Sequence, residues 1–356
     1  MSLRAALRSL ADRVAGDPFE RALARAARAR VTRVVFFWNR GLGDIALGLV
    51  PMFARTAGRL PGAAVEVVTR AELEEPFRLT AATAIHVVPG LARADGADAA
   101  SACARLPRDP REGALAIDRP DPTRWLAVAR DPAPPRFTWD PRHDALAARF
   151  GGADDGRPWI AIHASTETAR HYRTVKDWPP ERWRALFAGA AKTGDARFVL
   201  LGHEREPAYD APNVLDLRGR TGFLEMLALV RTRCTALVAP DGGVLNAVYL
   251  LDAQFPLRVV SLWADPGQGI LKADTPSPNR HLSHVPLVGA LGDTGAIGVD
   301  AVLAALSPPF ARPPAGPPNR GRSPRSCRTR WRCCSPSTSS CCRPTSRSRC
   351  VRSSSA

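Results

Sequence analysis

Residues 34–44 read VVFFWNRGLGD, and this stretch decides the fold. Its first five residues are β-branched or aromatic, which predicts a short buried strand. A polar turn with two glycines follows, and the largely apolar run from Ile45 to Leu60 predicts a helix. A strand that passes through a glycine turn into a helix is the repeating unit of a parallel α/β sheet, so the sequence predicts an α/β protein.

The strand–helix pattern occurs in two halves of similar size. In the first half, further strands are predicted at 65–69, 85–88 and 115–118. In the second half, strands are predicted at 159–163, 198–201, 214–217, 236–239 and 259–262, and helices at 180–193, 222–231, 244–251 and 299–306. Residues 31–140 and 159–310 are therefore predicted to form two Rossmann-like, doubly wound parallel-sheet domains that face a cleft. Prolines and glycines in residues 141–158, around a short helix at 144–150, indicate a linker between them.

Both ends of the chain differ in composition from these halves. Residues 1–30 predict a basic amphipathic helical segment with leucines at helical spacing and a break at Asp17–Pro18. This segment either packs against the first domain or binds a surface of anionic lipid. Residues 311–356 are rich in Arg, Pro, Ser and Cys without periodicity, which predicts a disordered tail and is typical of an aberrant, out-of-frame end. Adjacent cysteines without any His argue against the alternative of a zinc module there.

Charge and cysteine content indicate the compartment and the classes of partner. The formal net charge is +16, but eleven of these charges are arginines of residues 311–356, which contain no Asp, Glu or Lys, so residues 1–310 carry +5. That excess suits an anionic ligand or membrane surface and gives no reason to expect nucleic acid. The two scattered cysteines before the tail, Cys103 and Cys234, suit a reducing compartment. Because there is neither an apolar run of about 18 residues nor a secretory signal, we expect the chain in the cytoplasm or peripherally on the inner face of the cell membrane.

Four loops are predicted to carry the chemistry, because ligands of open parallel sheets bind at the carboxyl ends of the strands. The first contains Gly43, where the backbone can approach a ligand closely, and Asp44. Asp44 is either a general base that takes a proton from an attacking hydroxyl or an N-cap for the next helix. Gly41 and Gly43 half-resemble a dinucleotide fingerprint, but the next glycine is Gly48, which breaks the required spacing.

The other three loops follow strands of the second half. Ser165 and Thr166 can bond a phosphate through hydroxyl and backbone N–H groups, and Lys176, one of only three lysines, follows them. Glu204 can accept hydrogen bonds from ribose hydroxyls. The run Asp241-Gly242-Gly243 leads into a helix whose N-terminal N–H groups attract an anion, with the aspartate either capping the helix or binding a hydroxyl. A diphosphate is therefore predicted between these loops, with the base supplied by the first half.

The order of these motifs resembles glycosyltransferase family 9, the heptosyltransferases of lipopolysaccharide inner-core synthesis. The resemblance spans roughly residues 32–306 and is carried by the Gly43-Asp44 loop and by the runs HAST at 163–166, KDWPPERW at 176–183, LLGHE at 200–204, DLRGRT at 216–221 and APDGG at 239–243. It implies a GT-B fold and an inverting transfer of heptose from ADP-heptose to a lipopolysaccharide core-type acceptor, either lipid-linked or an oligosaccharide. It also implies that no metal and no cofactor takes part.

The resemblance further implies roles for individual residues. Asp44 matches the family's base, and Lys176 matches a catalytic position beside the leaving phosphate. Donor contacts are implied for Gly43, Ser165, Thr166, Lys176, Glu204, Asp241, Gly242, Gly243 and Asn246. Asn246 stands where the family commonly has His, and a carboxamide donates a hydrogen bond but carries no charge.

Two alternative functions stay open from the residues alone. An NADP-type oxidoreductase would use the glycines of 41–43, with Arg70 at the end of the second strand binding a 2′-phosphate. A family member that binds nucleotide without transferring sugar would be consistent with Asn246 and the unusual tail.

Overall fold

The computed structural model describes residues 17–153, 156–167, 169, 176–191, 196–272 and 274–307. The predicted helix within residues 2–14 and the tail at 311–356 lie outside these residues. No helix among the described residues is long and apolar enough to cross a membrane.

The first half is built on a four-stranded parallel sheet, as predicted. Its strands are β1 (Arg33–Trp38), β2 (Ala64–Thr69), β3 (Ala84–Val87) and β4 (Leu115–Ile117), in the spatial order β3–β2–β1–β4. Its helices are α1 (Pro18–Arg28), α2 (Val50–Arg59), α3 (Glu74–Arg78), α4 (Ala99–Cys103) and α5 (Pro122–Leu126). Phe36 on β1 packs against Phe53 of α2 with ring centroids 4.9 Å apart, so aromatic contacts join the sheet to its helices.

The helix predicted at 45–60 begins differently from the prediction. Ile45–Leu49 forms a π-helical turn, in which the Val50 N–H donates to the Ile45 carbonyl, and the α-helix starts only at Val50. Pro51 has no N–H to donate to the preceding turn, which favours this change of pitch. A Cβ on Gly48 would lie 2.3 Å from Cβ of Pro122, so the turn packs against α5 through a glycine.

The second half is a six-stranded parallel sheet. Its strands are β6 (Trp159–Ile162), β7 (Arg197–Leu200), β8 (Val214–Asp216), β9 (Cys234–Pro240), β11 (Leu257–Trp263) and β12 (Leu282–Val288), in the spatial order β12–β11–β9–β6–β7–β8. The helices are α6 (Pro180–Ala191), α7 (Phe223–Arg233), α8 (Gly243–Tyr249), α9 (Gly269–Lys272) and α10 (Val299–Leu306). Strand β12 was not predicted, because it is a partly exposed edge strand that mixes polar and apolar residues.

The chain passes between the halves through a short two-stranded sheet. Strand β5 (Phe137–Thr138) pairs in parallel with β10 (Leu251–Asp252) of the second half. The following 3₁₀ segment, Pro141–Ala153, packs on α7, where Arg231 forms an ion pair with Asp144. The predicted linker at 141–158 therefore begins with a helical segment fixed to the second half.

Helix α1 shows how residues 17–28 are placed. Asp17 caps the helix by accepting from the N–H of Phe19 at 2.8 Å, and Phe19, Leu23 and Ala26 are buried in the core of the first half. The helix therefore packs against the first half. Arg21, Arg25 and Arg28 point to solvent, so the opposite face stays basic.

Candidate active site

A cleft of about 1010 Å³ lies between the carboxyl ends of the two sheets. Loops after β1, β2 and β3 line it from the first half, and loops after β6, β7, β8 and β9 line it from the second. Five predicted site residues contribute to the lining: Gly43, Ser165, Thr166, Glu204 and Gly243. The loops predicted from strand order therefore meet in one cleft.

Lys176 and Asp241 form an ion pair beside this cleft. Lys176 Nζ lies 2.6 Å from Asp241 Oδ2, and the side chains are 22% and 10% exposed. An ammonium has three donors, so Lys176 can hold Asp241 and still present an N–H to a phosphate. The N-cap of α8 is Gly242, without any side-chain capping bond, so Asp241 does not cap the helix.

Asp44 does not cap a helix either. It has helical backbone angles, its side chain makes no capping bond, and no hydrogen bond joins its carboxylate to another residue within the described ranges. Asp44 is exposed to solvent, but the neighbouring protein partly desolvates its carboxylate, and this desolvation raises the pKa of Asp44. The charges of Arg40, Arg93 and Lys176 oppose the rise in pKa, and Asp241 adds to it. These interactions show that Asp44 of the first half and the Lys176–Asp241 pair of the second lie within electrostatic reach.

Thr166 is held by neighbouring residues, in contrast to the prediction that it bonds a phosphate. Its N–H and hydroxyl both donate to Asp177, at 2.9 and 2.8 Å, and its hydroxyl accepts from the N–H of Ala169 at 3.1 Å. Thr166 therefore orders the loop. Ser165 forms no hydrogen bond with another described residue, so its hydroxyl is the one of the pair that can turn toward a ligand.

The N-terminus of α8 is packed closely by both halves. A Cβ on Gly242 would lie 2.7 Å from Thr166 Cγ2, and a Cβ on Gly243 would lie 2.7 Å from Leu42 Cβ. Both positions therefore need glycine for close approach. The predicted anion site at 241–243 lies directly against the loop that carries Asp44.

Glu204 lines the cleft after β7, where the chain turns at Gly202 with a φ of +125°. A Cβ on Gly202 would also lie 3.1 Å from the ring of His163, so this turn brings the Glu204 loop beside the HAST loop. Glu204 therefore lies in the same cleft as Ser165, as the ribose prediction requires.

Sequence reasoning missed a second set of charges that joins the halves. Glu167 of the second half pairs with Arg93 at 2.9 Å and with Arg70 at 3.3 Å, both from the first half. Arg70 is only 4% exposed, and burial lowers the pKa of its guanidinium. It also donates to the carbonyl of Arg40 at 2.9 Å, so it orders the Asp44 loop. The sequence could have predicted that Arg70 and Arg93 lie close together, because they follow strands β2 and β3 at the same edge of the sheet.

Within the described ranges, no group of three or more His, Cys, Asp or Glu side chains is placed to hold a metal ion.

The fold is similar to solved glycosyltransferase structures. The E. coli ADP-heptose LPS heptosyltransferase II superposes with a TM-score of 0.52 at 15% identity, over 77% of this chain and 97% of that chain. The glycosyl transferase family 9 protein of Veillonella parvula superposes with a TM-score of 0.53 at 13% identity, over 77% of this chain and 96% of that one. The chain has the fold of the family 9 glycosyltransferases.

This GT-B fold confirms the predicted fold class. No protein-family model matches the sequence, and no curated protein matches it either. The similarity to family 9 glycosyltransferases thus lies in the architecture, and the residues in the cleft carry the argument for activity.

Proposed function

We propose that this protein is an inverting glycosyltransferase that transfers heptose from ADP-heptose to a lipopolysaccharide core-type acceptor. One observation carries the proposal: beside the cleft between two Rossmann-like sheets, the loop before Asp44 packs on the N-terminus of α8, which directly follows the Lys176–Asp241 pair of the other half. The E. coli protein with a similar fold is an ADP-heptose heptosyltransferase by name, which supports the choice of donor.

In the proposed reaction, Asp44 acts as the general base. Its carboxylate takes the proton of an acceptor hydroxyl while that oxygen attacks the anomeric carbon of the donor. The bond from the anomeric carbon to the phosphate oxygen breaks as the new glycosidic bond forms on the opposite face, so the configuration inverts. The pKa of Asp44, raised by burial, makes this carboxylate a stronger base than an ordinary aspartate.

The departing ADP needs compensation for the charge that develops on its phosphate. Lys176 supplies it from the second half, and the Ser165 hydroxyl adds a hydrogen bond. Glu204 accepts from the ribose hydroxyls. In this proposal, the charge on the leaving group is balanced by side chains of the protein, and no metal or cofactor is required.

The acceptor side is formed by the first half. The exposed arginines of α1, Arg21, Arg25 and Arg28, suit a peripheral contact with an anionic membrane that presents a lipid-linked acceptor. We place the reaction at the cytoplasmic face of the cell membrane on this basis.

Thermal unfolding with different nucleotides tests the donor class. A ligand that binds only the folded state stabilises it by about 2.7 kcal/mol at a hundred times its Kd. We expect ADP to raise the Tm of the full chain and NADP to leave it unchanged. Ser165→Ala should reduce the effect of ADP, whereas Ser307→Ala, at an exposed serine after α10, should not. A rise in Tm with NADP alone would support the oxidoreductase alternative instead.

A further inference from the structure

The carboxamide of Asn246 lies where the two halves meet. Asn246 is on α8 of the second half and is only 5% exposed. Its Nδ2 donates to the carbonyl of Gly43 in the first half, 3.4 Å away. Gly43 is the residue directly before Asp44, so this contact joins α8 to the backbone that carries the proposed base.

Close packing fixes the contact more firmly than the long hydrogen bond alone would. A Cβ on Gly43 would lie 2.9 Å from Asn246 Nδ2, and a Cβ on Gly243 would lie 2.7 Å from Leu42 Cβ. The loop 41–43 therefore rests on α8 at two adjacent points. The carboxamide has one favourable orientation, because turning it over would place Oδ1 against the carbonyl oxygen of Gly43.

The orientation of Asp44 depends on this backbone. No hydrogen bond holds the Asp44 carboxylate within the described part of the chain, so its direction follows from the loop. From the first half, Arg70 holds the carbonyl of Arg40 at 2.9 Å, and Trp38 Nε1 holds the carbonyl of Gly41 at 3.3 Å. From the second half, Asn246 holds the carbonyl of Gly43.

We propose that Asn246 is a positioning residue for Asp44 and acts through the Gly43 carbonyl, rather than as a ligand of the donor phosphates. This inference rests on the proposed function of Asp44 as the base. A neutral carboxamide suits the role, since it fixes the backbone without adding a charge beside Asp44 or Lys176. The proposal also assigns a role to an asparagine at position 246, which is to hold the Gly43 carbonyl.

The test uses the full chain with Asn246→Ala and Asn246→Asp. Asn213→Ala is the matched control, since Asn213 is 3% exposed and its Nδ2 donates to one backbone carbonyl, that of Phe187, at 3.0 Å. Three quantities are measured: amide hydrogen exchange in peptides covering 39–47, the Kd for ADP, and kcat for ADP release from ADP-heptose with a heptose-free lipopolysaccharide core.

We expect Asn246→Ala to speed exchange in the 39–47 peptides and to lower kcat about 10- to 100-fold, as a displaced catalytic group does. The Kd for ADP should change less than about twofold, because phosphate contacts are kept. Asn246→Asp should also move the acidic limb of kcat to higher pH, since a second carboxylate near Asp44 disfavours its charged form. Asn213→Ala should change none of these quantities.

Two outcomes would overturn the inference. If Asn246→Ala weakens ADP binding about tenfold or more while kcat stays unchanged, Asn246 is a donor ligand. If exchange in the 39–47 peptides is unchanged, the contact does not hold the loop. Hydrogen exchange and ADP affinity can be measured without any sugar transfer, so they test the role of Asn246 independently of activity. A wild-type protein that binds ADP but does not convert ADP-heptose to ADP would contradict the proposed function instead.

Discussion

Lys176 Nζ lies 2.6 Å from Asp241 Oδ2, although the two residues are 65 positions apart in the sequence. The pair joins the loop before α6 to the loop before α8, and α8 packs against the loop of the first half that leads to Asp44. The site is therefore a coupled set of charges from both halves, and changes to one member should affect the others.

Removing the ammonium of Lys176 should affect both the reaction and the fold. Lys176→Met should lower kcat about 100-fold, because the leaving phosphate loses a cation. It should also reduce the free energy of unfolding by roughly 1–3 kcal/mol, since the mostly buried Asp241 carboxylate loses its partner. ADP-release kinetics and urea denaturation measure the two effects. Lys272→Met, at an exposed lysine of α9, is the control and should change neither.

The raised pKa of Asp44 should have opposite consequences for activity and for stability as the pH changes. Burial raises its pKa, so kcat should fall as the pH drops through that raised value, above the ordinary aspartate range. A raised pKa in the folded state also means that ionised Asp44 destabilises the fold above the pKa of the unfolded chain. Asp44→Asn should therefore have a higher Tm at neutral pH and lose this advantage as the pH falls from the raised folded-state pKa to the unfolded-state pKa. Equal Tm values at pH 7 would show that the pKa is not raised.

The ion pairs of Glu167 join the two halves and should contribute to the free energy of unfolding. Glu167→Gln removes the acceptor charge for Arg70 and Arg93 and should lower the free energy of unfolding by about 1 kcal/mol, measured by urea denaturation. Glu72→Gln is the control, because Glu72 also pairs with Arg70, at 3.4 Å, but belongs to the same half and is more exposed. A loss with Glu72→Gln as large as with Glu167→Gln would mean that bridging the cleft adds nothing.

Two glycines near α2 predict stability changes of opposite sign. Gly48→Ala would place a Cβ 2.3 Å from Pro122 Cβ, so we expect a loss of about 1–3 kcal/mol from overpacking. Gly58, within α2, has nothing within 4 Å of an added Cβ, and Gly58→Ala should add about 0.5–1 kcal/mol through helix propensity. Thermal or urea unfolding of both variants checks the pair. A Gly48→Ala protein as stable as the parent would contradict the close packing of the π-helical turn.

The parts of this structure that follow from local pattern were predictable from the sequence. Strand β1 is a short apolar run, and the rule that ligands bind at the carboxyl ends of strands identified the loops that line the cleft. The π-helical turn at 45–49 was not predictable from periodicity, because a five-residue change of pitch barely alters the apolar pattern. Strand β12 was not predicted because this edge strand lacks a continuous apolar run.

The pairings inside the site depend on how the halves pack, which no local pattern contains. Asn246 meets Gly43 across 203 positions, and Glu167 meets Arg70 across 97. The sequence predicted Thr166 as a phosphate ligand because a hydroxyl in a cleft loop suits one, but Asp177, eleven positions later, accepts from its hydroxyl. Residue type therefore indicated the chemistry, while tertiary contacts decide which side chains are free for it.

The most direct test of the central claim is mass spectrometry of a heptose-free lipopolysaccharide core after incubation with ADP-heptose and protein. The proposed function predicts that the wild-type chain adds one heptosyl residue and that Asp44→Asn lowers the rate at least about 100-fold. Asp98→Asn, which alters the exposed N-cap of α4, should transfer at the wild-type rate. An acceptor that stays unmodified by the wild type, or equal transfer by Asp44→Asn, would contradict the claim.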